Sequence, residues 1–380
     1  MNTKRLQQGM AGMGILAVLM VVALVTAMAV KQSWRSELSL KRSGYRWAGL
    51  QAGIYAKGAE QLFGELLEKD LQDSQDGSVD TLTDGWTDVN RYPLILDHAT
   101  IQVYAEDAQS RINLNALGAP FNTDPSSPDG STYTDNRRYT TLQKVFIRML
   151  QTIPYGEDGN ERLTTEEAKD ILAAVKDWVD ADNAPSGYGA TEQDYYQSLD
   201  PPYIMTNGPM VSSSELLRVN GMTPELYRGM QPYIIALGSE PTTLNINTIP
   251  QQLLRGFNNP DDLTPLDEET AARIMEELSD SGLGGDPSES EQDLNVRQLK
   301  SVDAIKDQSP QFAALFDEEL NPDPDGEDSG ETKYEGLGVA SEWFLMRTTV
   351  IMGDTAHKSN SLLQRSGGTA RVVRRSDSLF

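Results

Sequence analysis

The sequence predicts an α+β fold: one long N-terminal helix, a strand pair, a helical insertion of roughly two hundred residues and a closing antiparallel sheet. Three observations predict it. An uncharged apolar run, Met13 to Val30, passes without proline into helical spacing that reaches about Asp70. Capping residues and helix-period apolar stripes recur through the middle of the chain. After Trp343 the spacing changes to period two, broken by glycine turns.

At 1.5 Å per residue the apolar run covers roughly 27 Å, close to a bilayer's hydrocarbon core, so it fits a single membrane span. Two rival readings share that pattern. In one the run is the core of a cleaved secretory signal, with Lys4 and Arg5 ahead of it and Ala27-Met28-Ala29 as a small-x-small cleavage site. In the other it follows a prepilin-type leader, residues 1–12, cut after Gly12 so that Met13 becomes the new N-terminus and the apolar run is kept; Gly9 is the alternative cut. Beyond Lys31, Trp34, Leu38, Trp47, Leu50, Ile54, Leu62, Phe63, Leu66 and Leu67 keep the spacing of one long amphipathic helix rather than of a released domain's start. Glycines at 44, 49, 53, 58 and 64 count against an unbroken helix, at about 1 kcal/mol each. The run alone leaves both readings open. Charge does not decide the orientation either: Lys31, Arg35, Lys41, Arg42 and Arg46 follow the run, and a plain positive-inside count would keep the downstream domain cytoplasmic.

The 380 residues carry 57 acidic against 32 basic side chains, a net charge of −25, which argues against nucleic acid as a partner because phosphate neutralisation needs clustered Lys and Arg. Cysteine is absent, so no disulfide framework or thiolate chemistry exists. The two histidines, His98 and His357, are far apart in strand-like sequence, which argues against a histidine triad or zinc site. No G-x-S-x-G, P-loop or dinucleotide fingerprint occurs.

In chain order, Gln72 to Asn90 reads as a polar loop carrying Trp86, and Tyr92 to Glu106 as a strand pair turning at Asp97-His98. Asn122 to Arg138 is a Pro/Ser/Asp/Gly loop and Thr141 to Thr152 a short amphipathic helix. Thr164 with Glu167 caps a helix that runs to Asp180, burying Ile171, Leu172, Val175, Trp178 and Val179. Ser212 with Glu215 begins two short helices joined at Val219-Asn220-Gly221-Met222, the form of a helix-hairpin-helix unit. As a DNA-binding element that unit lacks the second glycine, and Arg218 and Arg228 are isolated. Asp267 to Leu278 and Ala304 to Leu315 read as further helices, separated by acidic loops. Trp343 to Met352, Lys358 to Arg365 and Ala370 to Arg375 then form a three-stranded meander. An internal echo joins two parts of the insertion: Ile112-Asn-Leu-Asn-Ala-Leu117 recurs as Leu244-Asn-Ile-Asn-Thr-Ile249, with Thr248 and Gln251 fitting a capping box for the helix after the second copy.

Taken together, Gly12-Met-Gly-Ile-Leu-Ala-Val-Leu19, Gly58-Ala-Glu60, Arg111-Ile-Asn-Leu-Asn115, Asp177-Trp-Val-Asp-Ala-Asp182, Gly189-Ala190, Tyr195-Tyr196, Glu215-Leu-Leu-Arg-Val-Asn-Gly-Met222, Asn245-Ile-Asn-Thr248 and the terminal strands resemble, in this order over nearly the whole chain, the K-type minor pseudopilins of the bacterial type II secretion system. The resemblance implies a pilin-like fold interrupted by a helical domain of two SAM-like halves. Its boundaries would be a leader at 1–12, membrane and stalk helix at 13–70, the first sheet segment at 71–112, the insertion at 113–337 with halves near 113–210 and 211–337, and closing strands at 338–380. It implies a non-enzymatic, single-pass inner-membrane subunit with its globular part in the periplasm, processed at Gly12 and Met13 by prepilin peptidase, and methylated. It would sit at the pseudopilus tip and help to initiate the pseudopilus. The implied partners are I- and J-type and then H-type minor pseudopilins, the major pseudopilin, secreted substrates and the outer-membrane secretin. The fifth residue after the cut is Ala17 where most pilins carry glutamate; a carboxylate in the bilayer is costly unless paired, so its absence fits a subunit with no neighbour above to neutralise.

One carboxylate cluster stands out. Asp180, Asp182 and Asn183 end a helix, and Glu192 and Asp194 follow a Pro/Gly loop, an oxygen-rich set that Ca²⁺ favours. The resemblance also implies calcium here, although Thr191-Glu192-Gln193-Asp194 departs from the usual Gly-Ala-Glu-Asp spacing and leaves open which of Glu192 and Asp194 ligates. A solvated acidic loop is the plainer alternative. Asn321-Pro-Asp-Pro-Asp-Gly-Glu-Asp328 superficially resembles an EF-hand loop, but its twelfth place is Thr332; this stretch and Glu157 to Glu161 read as solvated surface. The competing functional class is a membrane-anchored or secreted periplasmic calcium- or ligand-binding protein, or a remote hydrolase using an acid pair.

Overall fold

The computed structural model describes residues 3–73, 79–123, 132–156, 158–182, 184–187, 193–279, 296–316 and 334–376. The chain divides into two compact units, one of residues 1–58, 94–101 and 349–357, the other of 59–93, 102–348 and 358–380.

In chain order the elements are α1 (Thr3–Asp73), β1 (Leu94–Leu96), β2 (Ala99–Asp107), β3 (Ile112–Asn113), α2 (Thr141–Thr152), α3 (Thr165–Val179), α4 (Gln193–Ser198), α5 (Pro224–Met230), β4 (Ile234–Ile235), β5 (Leu244–Asn245), α6 (Gln251–Leu254), α7 (Glu268–Ser279), α8 (Ile305–Gln308), α9 (Pro310–Ala314), β6 (Leu337–Gly338), β7 (Trp343–Met352), β8 (Thr355–Ser366) and β9 (Thr369–Ser376). Strands bond in the order β1-β2-β7-β8-β9, and two short parallel pairs, β3 with β4 and β5 with β6, lie apart from that sheet. This is the predicted α+β class.

In the first unit, α1 stays helical through Gly44, Gly49, Gly53 and Gly58, where an added Cβ would meet nothing within 4 Å. Those glycines are tolerated rather than required. The β1–β2 hairpin turns at Asp97-His98, with Leu96 facing Ala99, so His98 is a turn residue.

In the second unit, Thr140 with Gln143 and Thr164 with Glu167 form complete capping boxes on α2 and α3. Phe146, Leu150, Leu172, Val175, Trp178 and Leu216 belong to its main apolar core. The terminal strands fall where period two placed them, β8 and β9 pairing antiparallel with Ser366 opposite Thr369.

Four local expectations are corrected. Trp86 is not a loop residue: it lies in a 3-10 turn, Gly85–Asn90, 1% exposed and edge-on to Phe344 at 5.4 Å. The first arm of the helix-hairpin-helix is a 3-10 helix, Ser213–Arg218, so only α5 is α-helical. The helix expected from Ala304 to Leu315 breaks at Ser309, because Pro310 lacks the N–H an uninterrupted helix needs and restricts the residue before it. Thr248 does not cap α6. Pro250 holds that position, and the Thr248 hydroxyl donates to the Asp107 carboxylate at 2.6 Å.

Candidate functional site

Residues 14–30 of α1 are apolar and exposed over their full length, Leu16 at 67% and Val30 at 64%. Their one polar side chain, Thr26, donates to the Val22 carbonyl at 2.8 Å, so the segment presents no unpaired polar group to lipid. Gly12 and Met13 lie within the helical backbone of α1, and Ala17 lies on the exposed segment.

The second unit is tied together by a buried ionic hub that the sequence did not announce. Arg365, near the end of β8, reaches both oxygens of Asp80 through Nη2, at 2.7 and 2.6 Å, and Asp70 through Nη1 at 3.4 Å. Its guanidinium also lies over the Phe344 ring at 5.0 Å. Asp80 accepts from the Ser341 N–H at 2.7 Å. Burial pushes the Asp80 carboxyl up to about 6, with Arg365 pulling the other way. Oxygens of Asp70, Asp80 and Asp84 lie within 4.8 Å of one another, a spacing that could hold a cation, and Arg365 supplies positive charge there. Asp107 completes the hub by accepting from the Gln109 N–H, the Asn245 amide and the Thr248 and Ser341 hydroxyls. Burial raises its pKa and these bonds oppose the rise.

The internal echo has a structural meaning. Asn115 accepts from the Met210 N–H at 2.7 Å and donates to the Met210 and Leu237 carbonyls at 3.0 and 2.6 Å. Asn247, its counterpart, accepts from the Leu299 N–H at 2.9 Å and donates to the Leu299 carbonyl at 3.0 Å. Each asparagine brackets both backbone groups of a single distant residue. Asn113 and Asn245 match in turn: each side-chain oxygen accepts from the N–H two residues on.

Other motif residues also serve as joints. Glu60, 3% exposed, pairs with Arg375 at 2.7 Å and accepts from Ser361. Arg111 and Arg347 both bond to Glu106. The cleft lined by Trp86, Tyr104, Glu106, Asp107, Arg111 and Tyr233 therefore contains two carboxylates already held by structural partners.

At the end of α3, Asp180 pairs with Lys176 at 2.7 Å through Oδ2, while its Oδ1 is buried without a hydrogen-bond partner among the described residues. Asp177 is fully buried: Oδ1 accepts from the Ser186 N–H at 3.0 Å, and Oδ2 has no hydrogen-bond partner among the described residues. Burial raises its pKa, and the Asp180 charge adds to the rise. Asp182 is exposed and accepts from the Ala184 N–H at 2.8 Å, and Asp194 is exposed in the first turn of α4. Asn183 and Glu192 lie outside the described residues, as does the stretch 321–332. Among the described residues the one trio of acidic side chains with oxygens close enough to share a cation is Asp70, Asp80 and Asp84, so the structure does not bring Asp180, Asp182 and Asp194 together as one ligand set. Asp177 opens the Asp177-Trp-Val-Asp-Ala-Asp182 motif but is not among the ligands that the sequence suggests.

A family profile described as "Type II secretion system (T2SS), protein K" matches residues 110–239. The type II secretion system protein K of Aeromonas hydrophila is 34% identical over 244 residues, which cover 63% of this chain and 68% of that protein. The corresponding protein of Pectobacterium carotovorum subsp. carotovorum is 29% identical over 370 residues, covering 96% of this chain and 95% of its own length. Among solved structures, a chain of the GspK-GspI-GspJ complex from the enterotoxigenic Escherichia coli type 2 secretion system matches with a TM-score of 0.63 at 21% identity, over 88% of this chain and 98% of that chain, a likeness of fold. By its sequence relatives, this chain belongs to the type II secretion system protein K family.

Proposed function

We propose that the chain works as a minor pseudopilin at the tip of a periplasmic pseudopilus, held in the inner membrane by residues 13–30 after cleavage between Gly12 and Met13. Its role in type II secretion follows from the family; the tip position, the periplasmic side and the processing are our reading. The observation that carries it is the continuity of α1, which runs unbroken from a wholly exposed apolar segment to Asp73. A helix built this way supports a retained anchor over a discarded signal. The solved complex holds GspK with GspI and GspJ, so I- and J-type subunits are the partners we expect here. On this reading the chain contributes packing surface rather than chemistry, and it is not an enzyme. Co-purification of the detergent-solubilised full chain with small pilin-like partners supports this reading; a lone monomer with hydrolytic turnover overturns it.

Ala17 belongs to the same reading. Ala17→Glu would place an unpaired carboxylate in the bilayer, at about 2.5–3.5 kcal/mol if at its centre. The expected result is a severalfold loss of secretion and of pseudopilus assembly, measured in cells; wild-type levels of both would remove the argument.

We also propose calcium as a structural ion at the turn after α3. Asp180, Asp182, Asn183 and one of Glu192 and Asp194 would hold it, with buried Asp177 beside them. When bound, the ion would supply positive charge to the Asp177 and Asp180 oxygens that lack donors among the described residues. Adding Ca²⁺ at a hundredfold over its dissociation constant raises stability by about 2.7 kcal/mol. A thermal scan of the full chain in detergent, with Ca²⁺ and with chelator, checks this; coincident transitions dispose of the site.

A further inference from the structure

Helix α1 continues past the apolar segment into Lys31 to Arg46, where five basic side chains meet one acidic residue, Glu37, in a chain whose net charge is −25. At ~100° per residue, Lys31, Arg35, Arg42 and Arg46 fall within an arc of ~60°, and Leu38 and Tyr45 border them on one side. The remaining basic residue, Lys41, points elsewhere and pairs with Glu37 at 3.1 Å. All four stripe residues are exposed, and no ion pair engages them among the described residues. We infer that this stripe is a docking surface for an acidic helical ridge on a neighbouring pseudopilin, an inference that rests on the filament reading above.

The shape of the stripe selects that partner. It extends ~22 Å along one side of the helix, whereas the headgroup layer beyond the hydrocarbon core is only ~5–8 Å deep. Lipid phosphates in that layer would engage Lys31 and Arg35 but not Arg42 and Arg46, which lie ~16 and ~22 Å along the helix from Lys31. A helix packed alongside presents its own side chains in a ridge of matching length. Translocating five basic residues directly behind a span also runs against the usual charge bias, so their retention calls for a use on the far side. Four charges spread along one line give register and partner choice more than raw affinity, since each exposed pair is individually weak.

The test uses the full chain expressed with its partner pseudopilins and purified in detergent. The triple variant Arg35→Glu, Arg42→Glu, Arg46→Glu turns attraction into repulsion and lowers partner recovery about tenfold or more, while Lys41→Glu, off the stripe, leaves recovery unchanged. Urea unfolding followed by tryptophan fluorescence shows the triple variant's folded part intact. Recovery of wild-type complex falls as salt is raised, because exposed charges are screened. Undiminished recovery of the triple variant overturns the inference and leaves the filament reading standing. Undiminished recovery with loss of binding to phosphatidylglycerol vesicles also overturns it, and assigns the stripe to lipid. If the wild-type chain itself recovers no pseudopilin, the filament reading fails and this inference fails with it.

Discussion

Arg365→Ala lowers the unfolding free energy of the second unit by about 3 kcal/mol, measured by urea unfolding of the full chain in detergent with tryptophan fluorescence as the probe. The guanidinium is 3% exposed at the side chain and its principal partner, Asp80, is fully buried, so removing it strands a carboxylate with one remaining donor, the Ser341 N–H. Breaking a buried pair from one side commonly costs about 3–5 kcal/mol. The lower end applies here because Asp80, already pushed to about 6 by burial, can take up a proton once the opposing charge is gone. Arg365→Lys recovers only part of the loss: an ammonium cannot reproduce the guanidinium's spread of bonds to Asp80, Asp70 and the Ser341 carbonyl. Trp86, packed on Phe344 beside this hub, reports its opening directly.

Asn115→Leu and Asn247→Leu each cost about 4 kcal/mol, and the two costs are similar although the residues share little local sequence beyond the echo. Each change leaves an N–H and at least one carbonyl buried without a partner, at about 1–3 kcal/mol per group. Asn122→Ala, which removes exposed amide bonds to the Arg137 and Tyr139 carbonyls, changes stability by less than about 0.5 kcal/mol and serves as the control. If Asn115→Leu were as mild as the control, the bracketing bonds would carry no weight and the echo would be a coincidence of composition.

Local signals decided what was legible in advance. Thr164 with Glu167, the stripe from Ile171 to Val179, the Asp97-His98 turn and the glycine turn between β8 and β9 all act over a few residues, and each element they mark is present. The repeated Asn-x-Asn pattern was visible as an echo, yet its role was not, because the residues it brackets lie 95 and 52 positions away. Asp80, Asp107 and Arg365 were illegible for the same reason: nothing near them in sequence says that three elements meet there. Thr248 misled because a hydroxyl three residues before a glutamine satisfies the capping pattern whether or not a nearer carboxylate claims it. Pro310 was a readable helix break that the apolar spacing around it obscured. Asp180 and Asp182 stood out by their spacing, whereas nothing in that spacing marked Asp177 as buried.

The retained anchor is tested most directly by N-terminal sequencing of the mature protein isolated from native membranes. Cleavage after Gly12 yields a chain beginning at Met13, with the whole apolar segment of α1 kept. A chain beginning at Val30 would contradict it, since no membrane helix would then remain to join a filament.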